Sequence, residues 1–202
     1  LSITSETAAR NYDKETTNML TAEKLLTGEE LMELQRETGK HYELLKGKPI
    51  ETMPAGGKHG YIASKIECKL GTFVEERNLG FVFSAETGVY LERNPDTVRA
   101  ADVTFISREK IKSVDEIDTG FLTVVPDLVV EVVSHPNQLC EALSKVEMWK
   151  QAGVSEIWVV NVVQKTLTVY SDKESQLLTE QETLHGNRWL NGFMLPLSTI
   201  FS

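Results

Sequence analysis

The chain has 202 residues, 41% of them hydrophobic and 25% charged. At about 150 residues per domain that suits one domain with an ordinary core and excludes collagen-like, mucin-like and wholly disordered chains. Two cysteines, Cys68 and Cys140, make no disulfide framework or zinc site, and each reads as a small buried apolar residue in a reducing compartment. Twenty-one basic against thirty acidic residues give a net charge of -9, which argues against non-specific coating of nucleic acid. It leaves room for a nuclease, because a site that gathers a divalent cation supplies negative charge itself.

The stretches Phe121 to Val133 and Ile157 to Val163 are interrupted by Asp127, Glu131 and Asn161 and are too short to span a bilayer. The opening Leu-Ser-Ile-Thr-Ser-Glu has no basic segment ahead of an apolar one, so a cytoplasmic protein without membrane attachment is expected.

In chain order, residues 1–24 read as a polar arm ahead of a single domain over 25–202. Thr27-Gly28-Glu29-Glu30 is a capping box that launches a helix through Leu31, Met32 and Leu34, ended by Gly39. Tyr42 to Lys46 and Lys48 to Met53 form a hairpin candidate around Gly47. Ile62, Ile66, Leu70 and Phe73 make one helical stripe within 58–79, with Asn78 and Gly80 as stops. Short strands are expected at Phe81 to Phe83, Gly88 to Leu91 and Ala101 to Ile106, with a turn at Asn94-Pro95-Asp96. Strand Asp127 to Ser134, helix Gln138 to Ala152 and strand Glu156 to Val163 form a right-handed crossover between parallel strands. The tail from Ser171 holds short apolar pieces without a secure place.

The informative feature is acid inside apolar strands. Period two puts Val103 and Phe105 on one face and Asp102 on the other, and it sets Glu131 opposite Leu128, Val130 and Val132. A carboxylate in so apolar a run is costly to bury without a cation or strong donor. Two such acids on adjacent strands raise each other's proton affinity, and oxygen ligands select a hard ion, magnesium or manganese. Lys145 lies at the edge of the stripe Ala142, Val146 and Trp149, on the helix after the Glu131 strand. There it either reaches over the strand end or pairs with Glu141 on an exposed face. No clear basic patch is present; Lys46, Lys48, Lys58 and Lys65 are the local basic grouping near these acids and read as a solvated face. Gly56-Gly57-Lys58-His59 lacks the spacing of a Walker loop, and no Gly-x-Ser-x-Gly elbow occurs.

At these residues the chain resembles the Uma family of putative restriction endonucleases, a branch of the PD-(D/E)XK nuclease superfamily. The resemblance runs from about Leu26 to Tyr170. It is carried by His41-Tyr42-Glu43-Leu44-Leu45-Lys46-Gly47, His59 at a helix start, Arg99-Ala100-Ala101-Asp102-Val103, Pro126-Asp127 through Glu131 to Ser134, Lys145 with Trp149, and Ala152-Gly153 through Val160. It implies an α/β restriction endonuclease-like fold, a central mixed sheet flanked by helices. It also implies Mg2+- or Mn2+-dependent hydrolysis of DNA phosphodiesters.

By the resemblance, Glu43, Asp102, Glu131 and Lys145 are catalytic, the three acids hold metal, and His59 supports them or binds phosphate. Ala101 stands where the family has Pro, Val133 where the standard motif has its lysine, and Asn161 where an acid is usual. Two other readings stay open: an inactive nuclease-fold binding or assembly module, and a metal-dependent phosphoesterase for a small substrate. A homodimer is expected, with Phe193 to Leu197 and Ile200-Phe201 as candidate contacts.

Overall fold

A computed structural model describes residues 24–171 and 174–202. The expected arm lies outside the described residues except for Lys24, which pairs with Glu30. Thr27 caps helix α1 (Gly28–Thr38): its hydroxyl accepts the Glu30 N–H, the Glu30 carboxylate accepts the Thr27 N–H, and Gly39 closes the helix at φ 67°. Strands β1 (Tyr42–Leu45) and β2 (Lys48–Glu51) pair antiparallel. Lys46 and Gly47 join them at φ 49° and 78°, the pair of positive values that suits the twist of a two-residue hairpin loop. Helix α2 (Gly57–Glu76) buries Ile62, Ile66, Leu70 and Val74.

Strands β3 (Gly80–Ser84), β4 (Gly88–Glu92), β5 (Thr97–Ala100) and β6 (Val103–Ser107) follow. The run expected as one strand from Ala101 starts at Val103, and Thr97–Ala100 forms a separate strand. Strand β7 (Leu128–Val133), helix α3 (Leu139–Gln151) and strand β8 (Glu156–Asn161) are the expected crossover, with β7 and β8 parallel. Strands β9 (Thr166–Ser171) and β10 (Ser175–Thr179), the hairpin β11 (Thr183–His185) and β12 (Met194–Pro196), and α4 (Ser198–Phe201) complete the described chain.

These strands form a four-stranded sheet of order β2-β1-β5-β4 and a six-stranded mixed sheet of order β10-β9-β8-β7-β6-β3. Helices cover both faces of the larger sheet. On one face Val103, Phe105, Leu128, Val130 and Val132 pack under α2 and the tail. On the other, Ile106, Val129, Val133 and Ile157 pack under Ala142, Val146 and Trp149 of α3. The alternation along β6 and β7 therefore sorts their side chains between two cores. The smaller sheet packs Leu44 and Val98 on Leu31 of α1.

Two expectations are corrected. The apolar tail is not free for a dimer contact: Phe193, Leu195, Leu197 and Ile200 are buried in the first core, and the Phe193 ring stacks on Trp158 with centroids 6.1 Å apart. Cys68 and Cys140 are exposed, because on their helices they fall outside the stripes that carry Ile66 and Leu70, and Ala142 and Val146. Among the described residues no helix is long and apolar enough to cross a membrane.

Candidate active site

Asp102 stands where β6 leaves β7. The last pairing joins Val103 to Val130, and the Val132 N–H beyond it donates to Asp102 Oδ2 at 2.6 Å. The carboxylate thus replaces a ladder partner at the strand end. Glu131 lies between Val130 and Val132, on the α3 face by alternation, and its Oε1 accepts from the buried indole Nε1 of Trp149 at 2.8 Å. Asp102 precedes the first residue of β6, and its charge reaches Glu131 at this end of the β6–β7 pair.

Helix α3 brings Lys145 to the same place. Its ammonium lies 3.5 Å from Glu131 Oε2 and 3.2 Å from Glu43 Oε1, and donates to the Ala100 carbonyl at 3.2 Å. Its side chain is 15% exposed, so the solvated pair with Glu141 is replaced by a seat between two buried carboxylates. Glu43 arrives from β1 on the smaller sheet. Its Oε1 also accepts the Ala100 N–H at 3.1 Å, and its Oε2 faces Arg99 Nη1 at 3.1 Å. His59, in the first turn of α2, places Nε2 3.2 Å from Asp102 Oδ2.

The pattern of the chain alone marks no role for Arg99 or for the Trp149 indole. The signal for Arg99 was a cation in a strand flanked by Val98, since a buried guanidinium calls for an acid opposite it. Of the basic grouping, Lys65 turns away to the Thr199 and Ser202 carbonyls at 3.0 and 3.1 Å. Asn161 accepts the Val163 and Gln164 N–H groups of its own turn, and Val133 is core.

Burial dominates the electrostatics. It pushes Glu131 up to about 7, against Lys145 and with help from the Asp102 charge. It pushes Asp102 up to about 6, against the Val132 N–H and Lys145. Burial also draws the Lys145 ammonium down, but Glu131 and Glu43 outweigh it and hold that pKa above the ordinary lysine value. His59 is held below its ordinary value by burial, opposed by the Glu131 charge.

Three carboxylates thus share two cations, Arg99 and Lys145, and the excess of buried negative charge is what raises the proton affinity of Asp102 and Glu131. Carboxylate oxygens are the donors a hard divalent ion takes, but the three acids do not form one cage. Among the described residues no group of three or more His, Cys, Asp and Glu side chains is arranged to hold a metal. Magnesium needs no such cage, since it is commonly held by one or two carboxylates together with water and substrate phosphate. Asp102 and Glu131 suit that role. Both contacts of Asp102 fall on Oδ2, whereas both oxygens of Glu43 are engaged by Arg99, Lys145 and the Ala100 amide.

A family model described as Uma2, putative restriction endonuclease, matches residues 29–198. The chain belongs to the Uma2 family. The matched span takes in every site residue of this Uma2 chain, from Glu43 to Lys145. The crystal structure of a putative nuclease belonging to DUF820 from Anabaena variabilis is similar at a TM-score of 0.71 and 18% identity, covering 87% of this chain and 97% of that one. The two share a fold, a mixed sheet flanked by helices. Comparison with curated proteins finds no match. The family's description supports a nuclease for this Uma2 chain.

Proposed function

We propose that the protein is a divalent-metal-dependent endonuclease that hydrolyses DNA phosphodiester bonds at Asp102, Glu131 and Lys145. The observation that carries this reading is the Lys145 ammonium seated 3.5 Å from a buried acid whose neighbour is Asp102. Asp102 and Glu131 are the oxygen donors for magnesium or manganese. When bound, such an ion supplies Lewis acidity toward the phosphoryl oxygens and makes water a stronger acid.

The chain's own residues do the rest. The Val132 N–H and His59 fix Asp102, and the Trp149 indole fixes Glu131, so neither carboxylate needs to reorganise. Lys145 lies beside Glu131, its charge reaches Asp102, and it neutralises negative charge as it gathers on the phosphoryl group. Glu43 holds Lys145. A homodimer would present two such sites to the two strands of a duplex, through surface other than the buried tail.

The test is a cleavage assay on single- and double-stranded DNA and on RNA with Mg2+, Mn2+ or excess EDTA. Cleavage of DNA that needs the metal and is lost in Asp102→Asn supports the reading. No cleavage of any DNA under these conditions, or cleavage untouched by Asp102→Asn, overturns it.

A further inference from the structure

Arg99 is 6% exposed in a strand whose neighbours Thr97 and Val98 are core, and among the described residues its buried Nε has no hydrogen-bond partner. Among the described residues its Nη1 meets one carboxylate oxygen, Glu43 Oε2. A buried pair of this kind adds little stability over two well-packed apolar side chains. Its effect is found at the other oxygen of Glu43. There Oε1 takes the Ala100 N–H and the Lys145 ammonium, while the Ala100 carbonyl takes the same ammonium. Residues 99 and 100 of β5 therefore grip Lys145 twice, directly through the backbone and indirectly through Glu43.

Lysine ends a flexible four-carbon stem whose ammonium has no directional fork of its own. Helix α3 delivers that stem from the larger sheet, and only the smaller sheet supplies the two close contacts at 3.2 Å. The contact with Glu131 is longer, at 3.5 Å.

We infer that Arg99 and Glu43 are positioning residues for Lys145. Arg99 aims the Glu43 carboxylate, and Glu43 holds the ammonium at Glu131 rather than ligating the metal. The consequence for rate rests on the nuclease reading above; the clamp itself does not.

The clamp is tested by reductive methylation of lysines with formaldehyde and borohydride, followed by peptide mass mapping. In the wild-type protein Lys145 reacts more slowly than exposed Lys165. Glu43→Gln speeds its methylation by about tenfold, the factor that loss of one charge-assisted hydrogen bond allows. Arg99→Met removes a cation that lowers the Lys145 pKa, and speeds methylation all the same, by less, because Glu43 is no longer aimed. The double variant goes no further than Glu43→Gln. Glu43→Gln keeps the shape of the side chain and carries the same test if Arg99→Met does not fold. A folded variant in which Lys145 stays as slow as in wild type overturns the inference.

In the cleaving enzyme Arg99→Met lowers kcat with KM unchanged, and Lys145→Ala added to it lowers kcat no further than Lys145→Ala alone. Independent, multiplying losses contradict action through Lys145. A wild-type protein that cuts no nucleic acid removes the nuclease reading, while the methylation rates still decide the clamp.

Discussion

Asp127 and Glu131 lie four residues apart on one apolar run and share its face, yet the protein uses them differently. Asp127 is 1% exposed, and both of its oxygens are answered: Oδ1 by Lys110 at 2.8 Å and Oδ2 by the Ser107 N–H at 2.8 Å. Glu131 has one close donor, the Trp149 indole, and shares the more distant Lys145 ammonium with Glu43. The first acid ties the foot of β7 to the end of β6. The second is left with charge that its surroundings do not cancel, and such a deficit beside a strand end is where a cation-dependent site forms.

The sharpest way to break this contrast is to remove the first acid. Asp127→Ala strands the Ser107 N–H and uncouples Lys110, and is expected to cost about 3 kcal/mol in chemical denaturation, since breaking a buried pair leaves its partners uncompensated. The rate per folded molecule should not change. Glu131→Gln is the mirror image, with cleavage falling by roughly a hundredfold or more and no loss in melting temperature.

A pH series in EDTA sharpens the same contrast. Asp102 and Glu131 are pushed above their ordinary values of 3.8 and 4.5, so between those values and about 7 the folded state binds more protons than the unfolded one. Stability from these groups is therefore present at acid pH and falls as pH rises through that window. Melting temperature should drop from pH 5 to pH 8 more in wild type than in Glu131→Gln. Adding Mg2+ at pH 8 should recover stability in wild type by mass action. Equal slopes in the two proteins would remove the uncompensated charge.

The smallest effect separates the two partners offered to Lys145. Glu141→Gln should change stability by no more than about 0.5 kcal/mol and leave cleavage alone, because the exposed i,i+4 pair is not where the lysine sits. A larger cost by urea titration would return Lys145 to the surface of its helix.

Local patterns made much of this legible. The Thr27–Glu30 box and the Gly39 stop are short-range hydrogen-bond chemistry, so they appear in the chain as they do in the helix. Strand parity likewise set Asp102 apart from Val103 and Phe105, and Glu131 apart from Leu128, Val130 and Val132, because alternation along one strand needs no knowledge of the partner. What stayed hidden depends on distant approach. Strand β5 is four residues with a buried arginine, and it becomes a strand only between β1 and β4. The tail looked like spare apolar surface because Trp158 and Phe73, the rings that Phe193 meets, lie far back in the chain. For Lys145 the helical period gave the edge position, but the choice between Glu141 and Glu43 is made by a second sheet.

The measurement that bears most directly on the account is a paired one, cleavage rate and melting temperature in Mg2+ for Glu131→Gln beside Asp127→Asn. Opposite signatures are expected: Glu131→Gln folded and inactive, and Asp127→Asn destabilised yet cutting DNA at the wild-type rate once folded. If both variants lose stability alike and both keep or lose cleavage together, the two acids do the same work and Glu131 is not part of a catalytic site.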